Sequence, residues 1–189
     1  MRITAGYARG ILLNSPTSSA TRPATDAARQ AIFSSLGSEI EGAKVLDLFA
    51  GTGAYGLEAA SRGAAYAVFV ENSRRAFAVL KSNISEIQKL VNAHMRAVFA
   101  DCLKMPVEAE EFDFVFADPP YALLQNEKFS QGLYSLFQRL SGTPVIMLEA
   151  PAEYDIPAEY ASLFQVLKRL GKKSKGKPSQ IIFRATQKQ

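Results

Sequence analysis

Four successive apolar runs each lead into a carboxylate, and segments of helical character separate them. Val45-Leu46 runs into Asp47, Tyr66–Val70 into Glu71, Ala97–Ala100 into Asp101, and Phe114–Ala117 into Asp118. Short apolar runs alternating with amphipathic segments predict an α/β fold with a largely parallel sheet. In an open sheet of that kind the ligand crevice lies at the carboxyl ends of the strands, where these four acids stand. One such acid alone could simply cap a helix or solvate a loop. Four at equivalent places point to a ligand.

The remaining pattern fills in the same architecture. Strands are predicted near 44–49, 66–71, 96–100, 113–117, 145–149, 163–170 and 180–185. Helices are predicted near 25–36, 54–62, 73–91 and 126–140. The 73–91 helix places Phe77, Leu80, Ile84, Ile87 and Val91 at helical spacing. The loop joining the last two strands is too short for a crossover, so they should pair antiparallel. Residues 1–13 read as a β-hairpin around Gly6 to Gly10, with Ile3, Tyr7, Ile11 and Leu13 as packing candidates. Residues 14–22 are rich in Ser, Thr and Pro and read as a loop. The expected division is an extension over 1–24 and one domain over 25–189.

Two motifs carry chemistry. Asp118-Pro119-Pro120-Tyr121 closes the fourth run. The Asp118 carboxylate and the Pro119 carbonyl can both accept hydrogen bonds from one NH2 group. Proline fixes φ and lacks an N–H, so the loop is stiff. The Tyr121 ring can stack on a flat base. Together these groups form a clamp for an exocyclic amine on a planar heterocycle. The second motif is Gly51-Thr52-Gly53-Ala54-Tyr55-Gly56 after the first strand, with the G-x-G-x-x-G spacing of a nucleotide-binding turn. A dinucleotide would put phosphates at the following helix N-terminus, where Asp47 would repel them. A cationic ligand without phosphates, such as S-adenosyl-L-methionine (SAM), suits an acidic turn better. Glu71, about 20 residues after the turn, is placed for two ribose hydroxyls. Asp101 can accept from the adenine amine.

Charge narrows the partner. The 189 residues carry a formal +4 with a pI near 9.2, which permits an anionic partner. Before Asp26 the chain has Arg2, Arg9 and Arg22 and no acid, and six of the ten residues Lys168–Lys177 are Lys or Arg. The candidate RNA contacts are Arg2, Arg9, Arg22, Lys172, Lys173 and Lys175; the alternative is a solvated, merely charged loop. Cys102 is the only cysteine, which excludes an internal disulfide and fits a reducing compartment. His94, the only histidine, reads as a surface or helix-end residue, and no Cys/His cluster marks a metal site. No apolar stretch reaches membrane-spanning length. A cytoplasmic protein is expected, and a monomer.

The residues resemble the class I SAM-dependent methyltransferases that modify exocyclic amines. More narrowly they resemble the bacterial small-subunit (16S) ribosomal RNA guanine-N2 methyltransferase family, methyltransferase D, of the guanine 966 type. Gly6, Arg9-Gly10, Arg22-Pro23, Thr25-Asp26, Arg29 and Phe33 carry this likeness at the start. Leu46–Gly53, Leu57-Glu58-Ala59, Ser61–Ala64 and Asp118–Tyr121 continue it. Ala24, Ala27, Gln30 and Ser34 depart from the pattern, and the tail after 150 matches weakly. The resemblance implies a Rossmann-like, seven-stranded, mostly parallel sheet with helices on both faces, an antiparallel last strand and a small N-terminal hairpin. It implies SAM as cofactor and ribosomal RNA, within an assembled or assembling 30S particle, as partner. The expected cofactor set is Asp47, Phe49, Gly51, Thr52, Gly53, Glu71, Asp101, Cys102 and Asp118; the catalytic set is Asp118, Pro119, Pro120 and Tyr121.

Other readings compete. A DNA adenine-N6 methyltransferase would use the same clamp, but a chain this small lacks a separate target-recognition domain. Glutamine methylators carry Asn where Asp118 stands. A non-enzymatic RNA-binding module with a vestigial SAM site is disfavoured by the intact acids at 47, 71, 101 and 118.

Overall fold

Helices alternate with strands from Asp26 to Phe99 in the computed structural model, which describes residues 1–15, 26–171 and 174–186. Two compact units result, Met1–Cys102 and Leu103–Gln189.

The first unit contains α1 (Asp26–Leu36), β1 (Lys44–Asp47), α2 (Ala54–Ser61), β2 (Tyr66–Glu71), α3 (Arg74–Ile87) and β3 (His94–Phe99). Its strands run parallel in the order β3-β2-β1, with Asp47 beside Phe69 and Glu71 beside Phe99. Val45, Leu46, Val68, Phe69 and Val70 are wholly buried, as expected of a parallel strand covered on both faces. Every residue of α2 is buried. At Gly56 a Cβ would stand 2.3 Å from the Phe69 ring, so only glycine lets α2 lie this close to β2.

The N-terminal hairpin exists and is docked. Arg2 pairs with Leu12, and Ile3 and Gly10 bond across it. Ile3, Ala8 and Leu13 are buried beneath it. Tyr7, expected to pack, is 76% exposed. Its backbone N–H is spent on the Ser61 carbonyl at 2.8 Å, which pins the turn to the end of α2 and leaves the ring outside. Gly6, at φ 79°, would put a Cβ 1.8 Å from that same carbonyl.

The second unit contains β4 (Phe114–Ala117), α4 (Tyr121–Leu124), α5 (Glu127–Arg139), β5 (Val145–Pro151), β6 (Phe164–Gly171) and β7 (Pro178–Ala185). The order is β4-β5-β7-β6. β4 and β5 are parallel, and β7 runs antiparallel to both of its neighbours. A bulge between Val166 and Lys168 interrupts the β6 pairing. Tyr134 and Phe137 of α5 pack on Phe164 and Phe183, with ring centroids 5.3–6.5 Å apart. Asn126 caps α5 by accepting from Phe129 N–H at 3.0 Å.

Boundaries differ from expectation where side chains redirect the backbone. α3 stops at Ile87, short of the expected 91, because the Gln88 amide donates to the carbonyls of Val91 and Ala93 and turns the chain away. His94 is exposed, as expected of a surface residue, and opens β3 rather than ending a helix; its ring stacks on Tyr66 at 5.4 Å. The short helix α4 was not expected. Pro120, at φ −52°, sets up its first turn. Among the described residues no helix is long and apolar enough to cross a membrane.

Candidate functional site

The glycine turn of the first unit is held from three sides. Gly51 and Gly53 adopt φ 54° and 87°, a region favouring glycine. Below the turn, Asp47 is 1% exposed and its Oδ2 accepts the Gly56 N–H at 3.1 Å. Burial pushes its carboxyl up to about 7; the Gly56 N–H works against that rise, and the nearby Glu71 charge adds to it. Asp47 therefore braces the start of α2 from beneath, instead of lining the turn's outer surface. Beside the turn, Glu71 accepts the Gly51 N–H at 2.8 Å through Oε2 and the Ser73 N–H at 2.7 Å through Oε1. Each carboxylate oxygen keeps acceptor capacity for a further donor. On the third side, the buried Asn83 of α3 donates to the Thr52 carbonyl at 2.9 Å.

The other expected cofactor residues of this unit sit close by in the chain order. Phe49 is half-buried. Asp101 is half-buried just beyond β3, and Cys102 is buried at the start of a 3-10 turn, Cys102–Lys104. Glu71 ends β2 and Asp101 lies two residues past the end of β3, its parallel neighbour, so two half-buried carboxylates stand at the carboxyl ends of adjacent strands.

The Asp-Pro-Pro-Tyr loop belongs to the second unit. β4 ends at Ala117; Asp118 is half-buried, Pro119 buried and Pro120 exposed. Tyr121 opens α4, and its hydroxyl donates to Oε1 of Glu149 at 3.3 Å. Glu149, on β5, is 4% exposed, and its Oε2 accepts from the Gln180 amide at 2.7 Å. The Tyr121 ring is thus tethered at its far end. A ring anchored this way has little further freedom to lose on binding a ligand.

The expected RNA contacts divide. The Arg2 side chain is 65% exposed, 4.0 Å from Asp26. Arg9 is exposed in the hairpin turn. Lys175 is exposed between β6 and β7, beside Glu153, whose carboxyl is held below its usual range first by the Gly176 N–H. Arg22, Lys172 and Lys173 lie outside the described residues.

Three further polar residues were given no role from the sequence: Glu58, Asn83 and Glu149. Asn83 occupies the same helical stripe as Leu80 and Ile87, a polar residue where the pattern calls for an apolar one. Glu58 breaks an otherwise apolar or small helix, Ala54–Ser61. Glu149 interrupts the apolar run of β5. A polar residue at a core position was the available signal.

The family described as "Conserved hypothetical protein 95" matches residues 1–179. "Putative rRNA methyltransferase YlbH" of Bacillus subtilis is 31% identical over 170 residues, covering 89% of this chain and 92% of that protein. "Ribosomal RNA small subunit methyltransferase D" of Escherichia coli is 38% identical over 122 residues, 64% of this chain and 60% of that protein. The solved structure of "Putative methyltransferase yhhF from Escherichia coli" superposes with a TM-score of 0.77 and 27% identity, covering 98% of this chain and 97% of that one.

Proposed function

The chain belongs to the family described as "Conserved hypothetical protein 95", and from that premise we propose that it methylates ribosomal RNA, using SAM, at the exocyclic N2 amine of a guanine in the small subunit. The relatives' names support ribosomal RNA as the substrate class. One observation supports an exocyclic amine on a flat base as the target: the Asp118-Pro119-Pro120-Tyr121 loop is stiffened by two prolines and its tyrosine is tethered to a buried carboxylate; guanine N2 among such amines is what the likeness to the methyltransferase D family implies.

The first unit's acids fit the cofactor. Glu71 has acceptor capacity left for ribose hydroxyls, and the half-buried Asp101 is the proposed acceptor for the adenine amine. Asp47, buried beneath the turn, serves the cofactor indirectly by holding the Gly56 N–H and so the start of α2. SAM supplies an electrophilic methyl group on a sulfonium centre. The chain's own work is done at the amine. A guanine N2 lone pair is conjugated into the ring and is a poor nucleophile. Asp118 and the Pro119 carbonyl accept its two hydrogens and draw the nitrogen toward tetrahedral geometry. As positive charge develops on nitrogen, the Asp118 carboxylate stabilises it. The proton leaves to Asp118 or to solvent. Tyr121 stacks on the guanine, which must be unpaired or turned out of its helix to be reached. Arg2, Arg9, Arg22, Lys172, Lys173 and Lys175 contact phosphates, which position the RNA without reading its sequence. An assembling 30S particle is the proposed setting.

The reading is tested by incubating the protein with labelled SAM and small-subunit RNA or particles lacking the modification, then mapping the label. N2-methylguanine is the expected product. Label on adenine, or none on any RNA form, rejects it. Glu71→Ala is expected to weaken SAM binding by about 1.5–3 kcal/mol, the range for hydrogen bonds to a charged group. Part of that loss comes from freeing the Gly51 and Ser73 N–H groups. Calorimetry decides; an unchanged affinity removes Glu71 from the site.

A further inference from the structure

Asn83 is the residue of the first unit that joins two segments with different proposed roles. It is 1% exposed on α3. Its Oδ1 accepts the Asn14 N–H at 2.9 Å, and its Nδ2 donates to the Asn14 carbonyl at 3.1 Å and to the Thr52 carbonyl at 2.9 Å. Both amide hydrogens and one oxygen lone pair are therefore committed, all to backbone. The two bonds to Asn14 grip its N–H and C=O together, as a neighbouring strand would, and so fix its orientation as well as its position. Asn14 ends the docked hairpin and leads toward the segment bearing Arg22. Thr52 is the middle of the glycine turn. A second link runs the same way, with the Thr52 hydroxyl 3.9 Å from the Met1 sulfur.

Asparagine is a poor choice for a helix interior, both intrinsically and because burying an amide requires every bond to be made. Leucine would suit the Leu80–Ile87 stripe better for packing alone. The polar residue is explained if its bonds serve the two segments it joins. Thr52 also depends on it: the Gly51 and Gly53 N–H groups are held by Glu71 and the Ala50 carbonyl, whereas the partly buried Thr52 carbonyl would lose the Asn83 donor.

Resting on the reading above, we propose that Asn83 is a positioning residue that couples the RNA-facing N-terminal segment to the cofactor turn. Ordering Asn14 by RNA then orders Thr52, so RNA raises SAM affinity, and by reciprocity SAM raises RNA affinity by the same factor.

The test is calorimetric. SAM affinity of the intact protein is measured alone and with saturating small-subunit RNA fragment, alongside thermal melts. Wild type is expected to bind SAM more tightly with RNA, on the order of fivefold or more, the low end of ordinary coupling. Asn83→Leu is expected to bind SAM more weakly and to show no enhancement by RNA. Asn14→Pro removes the N–H that Oδ1 accepts, together with the exposed Asn14 side chain, fixes φ there, and leaves the Thr52 bond in place. It is expected to bind SAM as wild type does without RNA, yet to lose the enhancement. This second variant decides the matter if Asn83→Leu fails to fold. A purely structural Asn83 would lower the melting temperature and leave the ratio of the two affinities unchanged, which overturns the coupling. Equal SAM affinity with and without RNA in wild type overturns it as well, while methylation by that same protein keeps the functional reading intact. Absence of both methylation and RNA binding in wild type rejects the functional reading, and the coupling with it.

Discussion

Replacing Asp118 with alanine is expected to cut the single-turnover methylation rate by about a hundredfold or more, the usual loss when a group stabilising transition-state charge is removed. SAM affinity is expected to stay near that of wild type, because Glu71 and the glycine turn are untouched. The size of the effect follows from the nucleophile. A conjugated amine must be pulled out of plane before its lone pair is available, and a neutral acceptor cannot balance the charge that then appears on nitrogen. Asp118→Asn keeps one acceptor oxygen and loses the charge, so its rate should fall between the two. Single-turnover measurements with pre-bound SAM separate this chemical step from RNA binding. A near-normal rate for Asp118→Ala would falsify the clamp mechanism. Tyr121 is a useful contrast, since its removal should act on substrate affinity more than on rate.

Most of the strand-and-helix order could be read from the chain because apolar runs and acids coincide. Val45-Leu46, Tyr66–Val70 and Phe114–Ala117 are strands with an acid at or just past their ends. The antiparallel pairing of the last two strands followed from their short connection. That β7 lies between β5 and β6 did not follow from the residues alone, because pairing partners far apart in sequence leave no local trace. Periodicity failed for Tyr7, whose exposure is decided by a backbone bond to Ser61 that no pattern encodes. The acids were legible as a group but not their division of labour. Asp47 is buried beneath its turn, whereas Glu71 is half-exposed and already engaged by two backbone amides. Both are strand-end carboxylates in the sequence. They differ in what lies above them, which only packing sets. Glu149 and Asn83 were given no role for a related reason: each sits inside an apolar pattern, where a polar residue looks like noise until its partners are known.

Glu58 supports the largest stability prediction. It is wholly buried on α2 and accepts from Thr4 N–H at 2.8 Å, Thr4 hydroxyl at 2.6 Å, Ala5 N–H at 3.1 Å, Arg29 Nε at 3.3 Å and Arg62 Nε at 2.8 Å. Arg29 is itself wholly buried, and its other contacts are the Arg2 carbonyl and Asp26. Among the described residues Glu58 is the one fully buried counter-charge of Arg29, so Glu58→Leu leaves that guanidinium only the partly exposed Asp26 and strips the acceptor from its Nε and from the Thr4 and Ala5 N–H groups. Breaking a buried pair from one side costs about 3–5 kcal/mol. For a chain of this size that corresponds to a melting temperature lower by roughly 6–20 °C. Adding Arg29→Met should recover part of the loss, since no buried charge is then left unpaired. Recovery should be incomplete, because Thr4 and Ala5 still lack acceptors; Arg62, 17% exposed, can turn to water. Amide exchange supplies the local check. The Thr4 and Ala5 N–H groups should exchange faster in both variants, since the hairpin bearing Arg2 and Arg9 is held to α2 largely through this carboxylate and Ser61. A single variant that melts within about two degrees of wild type would mean that water or another acid replaces Glu58, and the hairpin would then need a different anchor.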